Sequence, residues 1–445
     1  MMSERTFLTV VADERGEVFE HPDLLMAGMN GMSVRHPEAD ELIPLPEGSR
    51  LFTIPNTPPI GFDRRSGKQR VLEQLPKNWG GGSVQAVSAF VTPAFTRTLL
   101  PAADYARKAV ELTLWSYTAV GWCVEEERFY VAAVRVDRNR QWEPQHFDDR
   151  KLEPLVRKRL GEQPQNRLVE QLSRCALDYH CFAAKNLFFG RWEAPLPCSP
   201  ACNAQCIGCI SLQDEPKACQ ASQDRLTFVP TVEELCEVAV PHLQHAENAI
   251  VSFGQGCEGD PILQADRIAD AVREMRRRTP RGTINFNSNA SIPDAIDKLA
   301  AAGIDSIRIS LNSVQERFYS AYYRPLNYRF DDVLEAARRA KQHGLFTMLN
   351  YLVFPGISDR EDEIERLMEL IEEIGIDMIQ LRNLSIDPLL YWTSMGADGS
   401  GIGLKKMLDR LKKEIPRIQY GYFNRTRENF YPEGYEQDWP LPLIL

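Results

Sequence analysis

Cys202-Asn203-Ala204-Gln205-Cys206-Ile207-Gly208-Cys209 sets three cysteines with three and then two residues between them, in a short loop flanked by apolar segments. Thiolates are the usual protein ligands of cluster iron, and a cubane of four irons takes four of them, so a loop supplying three leaves one iron open. The spacing predicts an iron–sulfur cluster with a position free for chemistry. A structural zinc site wants four ligands as two close pairs. No second pair is evident, and the nearby Cys198 reads as a non-ligand at the loop entrance.

Outward from this loop the chain becomes periodic. Strands are predicted at Arg191–Ala194, Ala249–Phe253, Thr283–Asn287, Ser306–Leu311, Phe346–Val353 and Met378–Leu381. Helices are predicted between them: one opened by the capping box Thr231/Glu234, then Asp266–Arg278, Pro293–Ala302 ending at Gly303, Phe330–His343 ending at Gly344, and Asp359–Ile374 ending at Gly375. Strands alternating one for one with helices imply a parallel sheet with helical crossovers, either doubly wound or a full or partial barrel. Both architectures place active groups at the C-terminal ends of strands. The chemically informative residues fall there: the cysteine loop after the first strand, Gly254-Gln255-Gly256 after the second, Asn287-Ser288-Asn289 after the third. Ser310 and Asn312 end the fourth, Pro355-Gly356 the fifth, and Arg382-Asn383 the sixth. Gln380, Arg382 and Asn383 are aimed by their strand at the expected pocket and are candidate substrate contacts.

Residues 1–190 read differently. Short apolar runs broken by Pro, Gly and Asp favour strands and turns up to Gln69, and Gly80-Gly81-Gly82-Ser83 reads as an internal linker near 78–83. Beyond it a strand over Val84–Val91, a helix near Ala102–Thr113, an alternating strand over Arg128–Val136 and helices around Asp149–Leu160 and Asn166–Phe182 are expected, without a nameable fold. Gly61 to Lys68 imitates a phosphate loop, but its spacing is one residue too long and Gln69 stands where Ser or Thr is required. Tyr179-His180-Cys181 reads as a packed helix face, and Arg324 as an ion-pair partner or a helix cap. Residues 396–445 form a short C-terminal extension, with a helix over Leu404–Glu414, a strand over Ile418–Tyr422 that closes the barrel's edge, and an apolar tail Trp439–Leu445 that packs on the body.

Composition sets the surroundings. A net charge of −10 gives no overall attraction to nucleic acid or anionic membrane, and the run Arg276–Arg278 reads as solvated helix surface. No secretory leader and no spanning segment are visible, which leads to a cytoplasmic expectation. Ten cysteines in a reducing compartment act as ligands, redox thiols or core residues rather than as disulfides, with Cys219 and Cys257 read as buried or reactive thiols.

With these residues in place, the chain resembles the radical S-adenosylmethionine (radical SAM) superfamily over roughly Arg191 to Leu384. The resemblance implies a partial (β/α)6 TIM-like barrel at 191–395, preceded by an N-terminal mixed α+β domain at 1–190. It assigns Cys202, Cys206 and Cys209 to three irons of a 4Fe-4S cluster and leaves the fourth iron to S-adenosyl-L-methionine. Gly208 departs from the aromatic residue often found before the last cysteine. The segment Phe253-Gly254-Gln255-Gly256-Cys257-Glu258-Gly259-Asp260-Pro261 is similar to the glycine-rich turn that meets the methionine amino group, with Asp260 for the usual Glu and a longer turn. Glycine suits a place where backbone approaches a ligand closely. By the same resemblance Gly254, Gly256, Gly259, Asp260, Asn287, Asn289, Ser310, Asn312, Asn350 and Gly356 border the cofactor.

The implied activity is reductive cleavage of S-adenosylmethionine to start radical chemistry on an unidentified substrate, fed by an electron donor such as flavodoxin or ferredoxin. The catalytic residue for the substrate is not legible, and no hydrolytic triad is seen. A non-enzymatic iron–sulfur redox or assembly protein on the same scaffold is the alternative, since a fold does not dictate activity. A zinc-stabilised binding module is a third.

Overall fold

The computed structural model describes residues 5–79, 81–107, 111–112, 114, 116–213 and 221–431. Cys219 and the apolar tail Trp439–Leu445 lie outside the described residues.

Seven parallel strands form the C-terminal half: β1 (Arg191–Pro195), β2 (Glu247–Phe253), β3 (Thr283–Ser288), β4 (Ser306–Leu311), β5 (Phe346–Val353), β6 (Met378–Asn383) and β7 (Gln419–Gly421). Their spatial order is their order in the chain. A doubly wound sheet reverses strand order at a switch point; this one never does, so every crossover runs the same way and the sheet curls into a partial barrel. The strands are buried on both faces, as expected where helices cover one side and a polar interior fills the other. The covering helices are α1 (Val232–His245), α2 (Ala265–Arg278), α3 (Pro293–Ala302), α4 (Glu316–Tyr323), α5 (Phe330–Gln342) and α6 (Glu361–Ile374).

Local chemistry sets their ends. Thr231 Oγ1 accepts from the Glu234 amide while the Glu234 carboxylate accepts from the Thr231 amide, at 3.1 and 2.7 Å. Gly303 and Gly375 stop α3 and α6 in the left-handed region, with φ of 108° and 81°. Arg324 closes α4 at φ 47° and is its C-cap, and no ion pair to it is seen among the described residues. Arg276 is not solvated surface: it bonds the Gly303 carbonyl at the end of α3 and pairs with Asp305. Two further helices follow the barrel, α7 (Pro388–Met395), which the sequence had not announced, and α8 (Leu404–Glu414). The C-terminal strand β7 pairs in parallel with β6, so the sheet has one strand more than the six expected of the barrel proper.

In the N-terminal half, ten strands make one sheet around Phe7–Ala12, which pairs with Val18–Leu25, Gln85–Phe90 and Val120–Cys123. Gln85–Phe90 also pairs with Arg50–Ile54. The residues on either side of Gly80–Gly82 therefore share one sheet, and the expected linker separates nothing. The helix expected over 102–113 is a single 3-10 turn, Tyr105–Arg107, among the described residues. The phosphate-loop lookalike is the hairpin between Ile60–Asp63 and Gln69–Val71.

This half docks against β6 and the loop that follows β5. Thr96 Oγ1 donates to the Leu381 carbonyl at 2.6 Å, and the fully buried Arg97 reaches the Tyr117 and Leu384 carbonyls at 3.1 and 2.8 Å. On the other side the Gly31 amide donates to the Pro355 carbonyl at 3.0 Å, and Asn30 bonds Asp359.

Candidate active site

The strand ends open on a cavity of about 410 Å³. Cys202, Cys206 and Cys209 line it from the β1 loop, together with Gly254, Gly256, Gly259, Asp260, Asn287, Asn289, Ser310, Asn350, Arg382 and Asn383. Three expected residues are absent from its wall, and each has a structural use instead. Asn312 is buried beyond the end of β4, donating to the Phe318 carbonyl and the Tyr391 hydroxyl at 3.1 and 3.0 Å. Gly356 lies against the N-terminal half: a Cβ there would collide with the Gly31 backbone. Gln380 sits inside the sheet, accepting from Arg308 at 3.2 Å and donating to Asn424 at 2.9 Å. Asn383 does line the cavity, but its amide is spent on docking, accepting from the Arg97 amide at 2.8 Å and donating to the Phe95 carbonyl at 3.0 Å.

The glycines of the β2 turn are needed for protein–protein contact. A Cβ on Gly254, whose φ is 78°, would strike the Asn287 carbonyl, and one on Gly259 would strike the Ala201 carbonyl. The Gly259 and Asp260 amides donate to the Ser199 and Ala201 carbonyls at 2.7 and 2.9 Å, so the turn is stitched edge to edge with the cysteine loop.

Glu258, which sequence reasoning passed over, organises both. One of its oxygens accepts from the Gly254 and Gln255 amides, and the other from the Cys198 and Ser199 amides, at 2.7–3.0 Å. Burial pushes its carboxyl up to about 7 while these amides pull it down. Asp260 is likewise consumed: it takes the Ser288 hydroxyl and the Ile262 and Asn289 amides at 2.7–3.0 Å. Its side chain positions the β3 end at the cavity wall. The only hint of Glu258 in the sequence is an acid within the glycine-rich turn, between Cys257 and Gly259.

Burial first, and the charge of Asp260 next, push the Cys202 thiol up to about 11. Burial and then the neighbouring Cys209 and Cys202 raise Cys206 well above the ordinary range. Thiolates crowded in this way gain most from a positive partner, which is the donor chemistry a cluster's irons require. Arg225 supplies one cation already, its guanidinium 3.4 Å from Cys209 Sγ and 3.1 Å from Ser211 Oγ. It lies in an aperiodic loop, where no pattern marks it. Among the described residues no three His, Cys, Asp or Glu groups close on a single ion; thiolates of a cubane each sit on a separate iron. An aromatic ring does stand over the atypical Gly208, where a Cβ would be 3.0 Å from the Tyr322 hydroxyl.

Cys198 is buried and does not line the cavity. Cys257 is buried as well, with Cys175 beside it. Tyr179 bonds Asp224 at 2.8 Å and His180 lies 3.8 Å from Asp149, outside the cavity.

Residues 196–371 match the family model described as the Radical SAM superfamily. The chain is 25% identical over 178 residues to the FeMo cofactor biosynthesis protein NifB of Klebsiella pneumoniae, covering 37% of each chain. It is 28% identical over 162 residues to a probable GTP 3',8-cyclase of Metallosphaera sedula, covering 36% of this chain and 46% of that protein. The chain thus spans less than half the length of these two relatives. The solved structure of SuiB of Streptococcus suis bound to S-adenosylmethionine aligns at a TM-score of 0.37 with 12% identity, covering 58% of this chain and 55% of that one.

Proposed function

From the membership of residues 196–371 in the radical SAM superfamily, whose members use a 4Fe-4S cluster and S-adenosylmethionine, we propose that this chain is an enzyme that starts radical chemistry in the cavity above its strand ends. The observation that carries the reading is the convergence of three thiols and the ends of β2 to β6 on one cavity. A 4Fe-4S cluster held there would supply the electron for reductive cleavage of S-adenosylmethionine, the chemistry by which radical reactions of this kind begin.

The chain's own residues do the rest. Cys202, Cys206 and Cys209 would hold the cluster, and Arg225 would hold the Cys209 sulfur in a fixed orientation. Glu258 and Asp260 clamp the β2 turn to the cysteine loop, so the backbone of residues 254–259 is rigid where a methionine amino group would approach. Asn350 carries a buried amide oxygen without a protein partner, while its nitrogen donates to Ser310 Oγ at 3.1 Å. That free acceptor suits a ribose hydroxyl. A low-potential donor of the flavodoxin or ferredoxin type in a reducing cytoplasm completes the proposal. Among the described residues no helix is long and apolar enough to cross a membrane.

Anaerobic reconstitution is expected to load about four irons per chain and, after reduction with S-adenosylmethionine, to release 5′-deoxyadenosine. A triple Cys202→Ala, Cys206→Ala, Cys209→Ala variant that kept its iron would overturn the ligand assignment. Cluster absorbance without cleavage would favour the redox or assembly alternative.

A further inference from the structure

The cavity that the cysteines line also carries two arginines from the barrel strands. Arg308 on β4 and Arg382 on β6 both line it. Arg308 is 9% exposed, and its Nε has no acceptor among the described residues. Its Nη1 reaches only the neutral Gln380 at 3.2 Å. Arg382 spends Nε and Nη2 on the Tyr422 carbonyl at 3.1 and 2.9 Å, with its guanidinium 5.0 Å from the Tyr422 ring centre. Among the described residues neither arginine forms an ion pair.

The carboxylates within reach are already committed. Glu258 and Asp260, the acids lining the cavity, accept from the amides and hydroxyl described above and form no ion pair with either arginine among the described residues. Glu193 attracts Arg308 through its charge but is not in contact with it, and accepts from Asn424 at 2.7 Å. Burial, and after it the like charge of Arg382, lowers Arg308 to about 9. A buried guanidinium destabilised by its neighbour, with no carboxylate in contact with it among the described residues, is a binding element for an anion.

We infer that Arg308 and Arg382 form the subsite for an oxyanion of the substrate, a carboxylate in the first instance. The inference rests on the proposed radical function for its place in catalysis, and it names the substrate class: a small or terminal acid, drawn into the cavity by charge and held with its reactive carbon toward the cysteines. The two groups come from different strands. The cysteines hang from β1 at one edge, while the arginines stand on the fourth and sixth strands of seven.

The test is anaerobic calorimetric titration of the reconstituted protein, saturated with S-adenosylmethionine, using malonate as the anion and ethylenediamine as the cationic control. Saturable malonate binding is expected, with none for the diamine. Arg308→Gln and Arg382→Gln should each weaken malonate at least about tenfold, which is 1.4 kcal/mol, and Arg382→Lys should retain part of the affinity. Cluster absorbance and S-adenosylmethionine affinity should stay at wild-type values. Arg382 is partly exposed at the rim, so its variants remain informative if Arg308→Gln does not fold. Absence of saturable malonate binding, or equal affinity in the variants, overturns the inference. So does a parallel loss of S-adenosylmethionine affinity, which would give the arginines to the cofactor. Titration of the cluster-free protein separates the two proposals: malonate binding that disappears in the variants upholds the subsite even if no cluster can be reconstituted.

Discussion

A residue in this site is defined less by its position at a strand end than by what its polar atoms already hold. Asn312, Gly356, Gln380 and Asn383 sit where strand periodicity places ligand contacts, yet each is consumed by a helix, by the N-terminal half or by the barrel interior. Sequence reports the position but not the partner, and the partner here is a hundred or more residues away for Gly356 and Asn383. The cysteines were legible because three thiols at short spacing have few other uses; Glu258 and Arg225 were not, because a single acid or base carries no pattern. Arg225→Gln should lower the cluster's reduction potential by on the order of tens of millivolts, as expected when a positive donor to a ligand sulfur is removed. A redox titration of the reconstituted variant checks this. Gly259→Ala should cost about 1–3 kcal/mol through overpacking against the Ala201 carbonyl, and should reduce iron retention, read as iron per chain after desalting.

At the scale of elements, strands and helices from Arg191 to Ile374 follow the sequence closely, because caps, glycine stops and buried β-branched runs are local signals. The exception within that range is α4, and beyond it α7, two short helices whose apolar residues pack on the body around Tyr391 without a long amphipathic repeat. The antiparallel sheet of the N-terminal half was illegible for the opposite reason: its pairings, such as Phe7–Ala12 with Val120–Cys123, join segments more than a hundred residues apart. One buried acid links elements measurably. Glu363 of α6 accepts from Ser313 Oγ, the Val314 amide and the Tyr351 hydroxyl at 2.6–2.8 Å, joining α6 to β5 and the loop after β4. Burial raises its carboxyl from the ordinary 4.5 to about 7. Between those values the folded chain holds a proton that the unfolded chain has lost, so this contribution to stability is complete below pH 4.5 and disappears as pH rises through 7. The stability difference between wild type and Glu363→Gln should therefore shift against wild type from pH 5 to pH 8, on the order of a few kcal/mol. Denaturant unfolding at each pH measures it.

For the whole molecule, the two halves are expected to melt as one. Arg97 is fully buried with its charge on backbone carbonyls from both halves, and burial lowers it to about 10. Arg97→Ala would orphan those carbonyls and leave a cavity, costing about 2–5 kcal/mol. A single calorimetric transition that moves to lower temperature is the expected record; two separate transitions would show that the halves are independent. The floor of the barrel has a different device. Asn424, beyond β7, donates to Glu193 on β1 and accepts from Gln380 on β6, at 2.7 and 2.9 Å. A partial barrel is an unclosed ring, and this one amide acts as the clasp across its gap. With the gap fixed at the floor, a bulkier guest has to be accommodated by the rim. Length changes in the loops after β6 and β7 could then retune which molecules enter while every cluster cysteine stays in place.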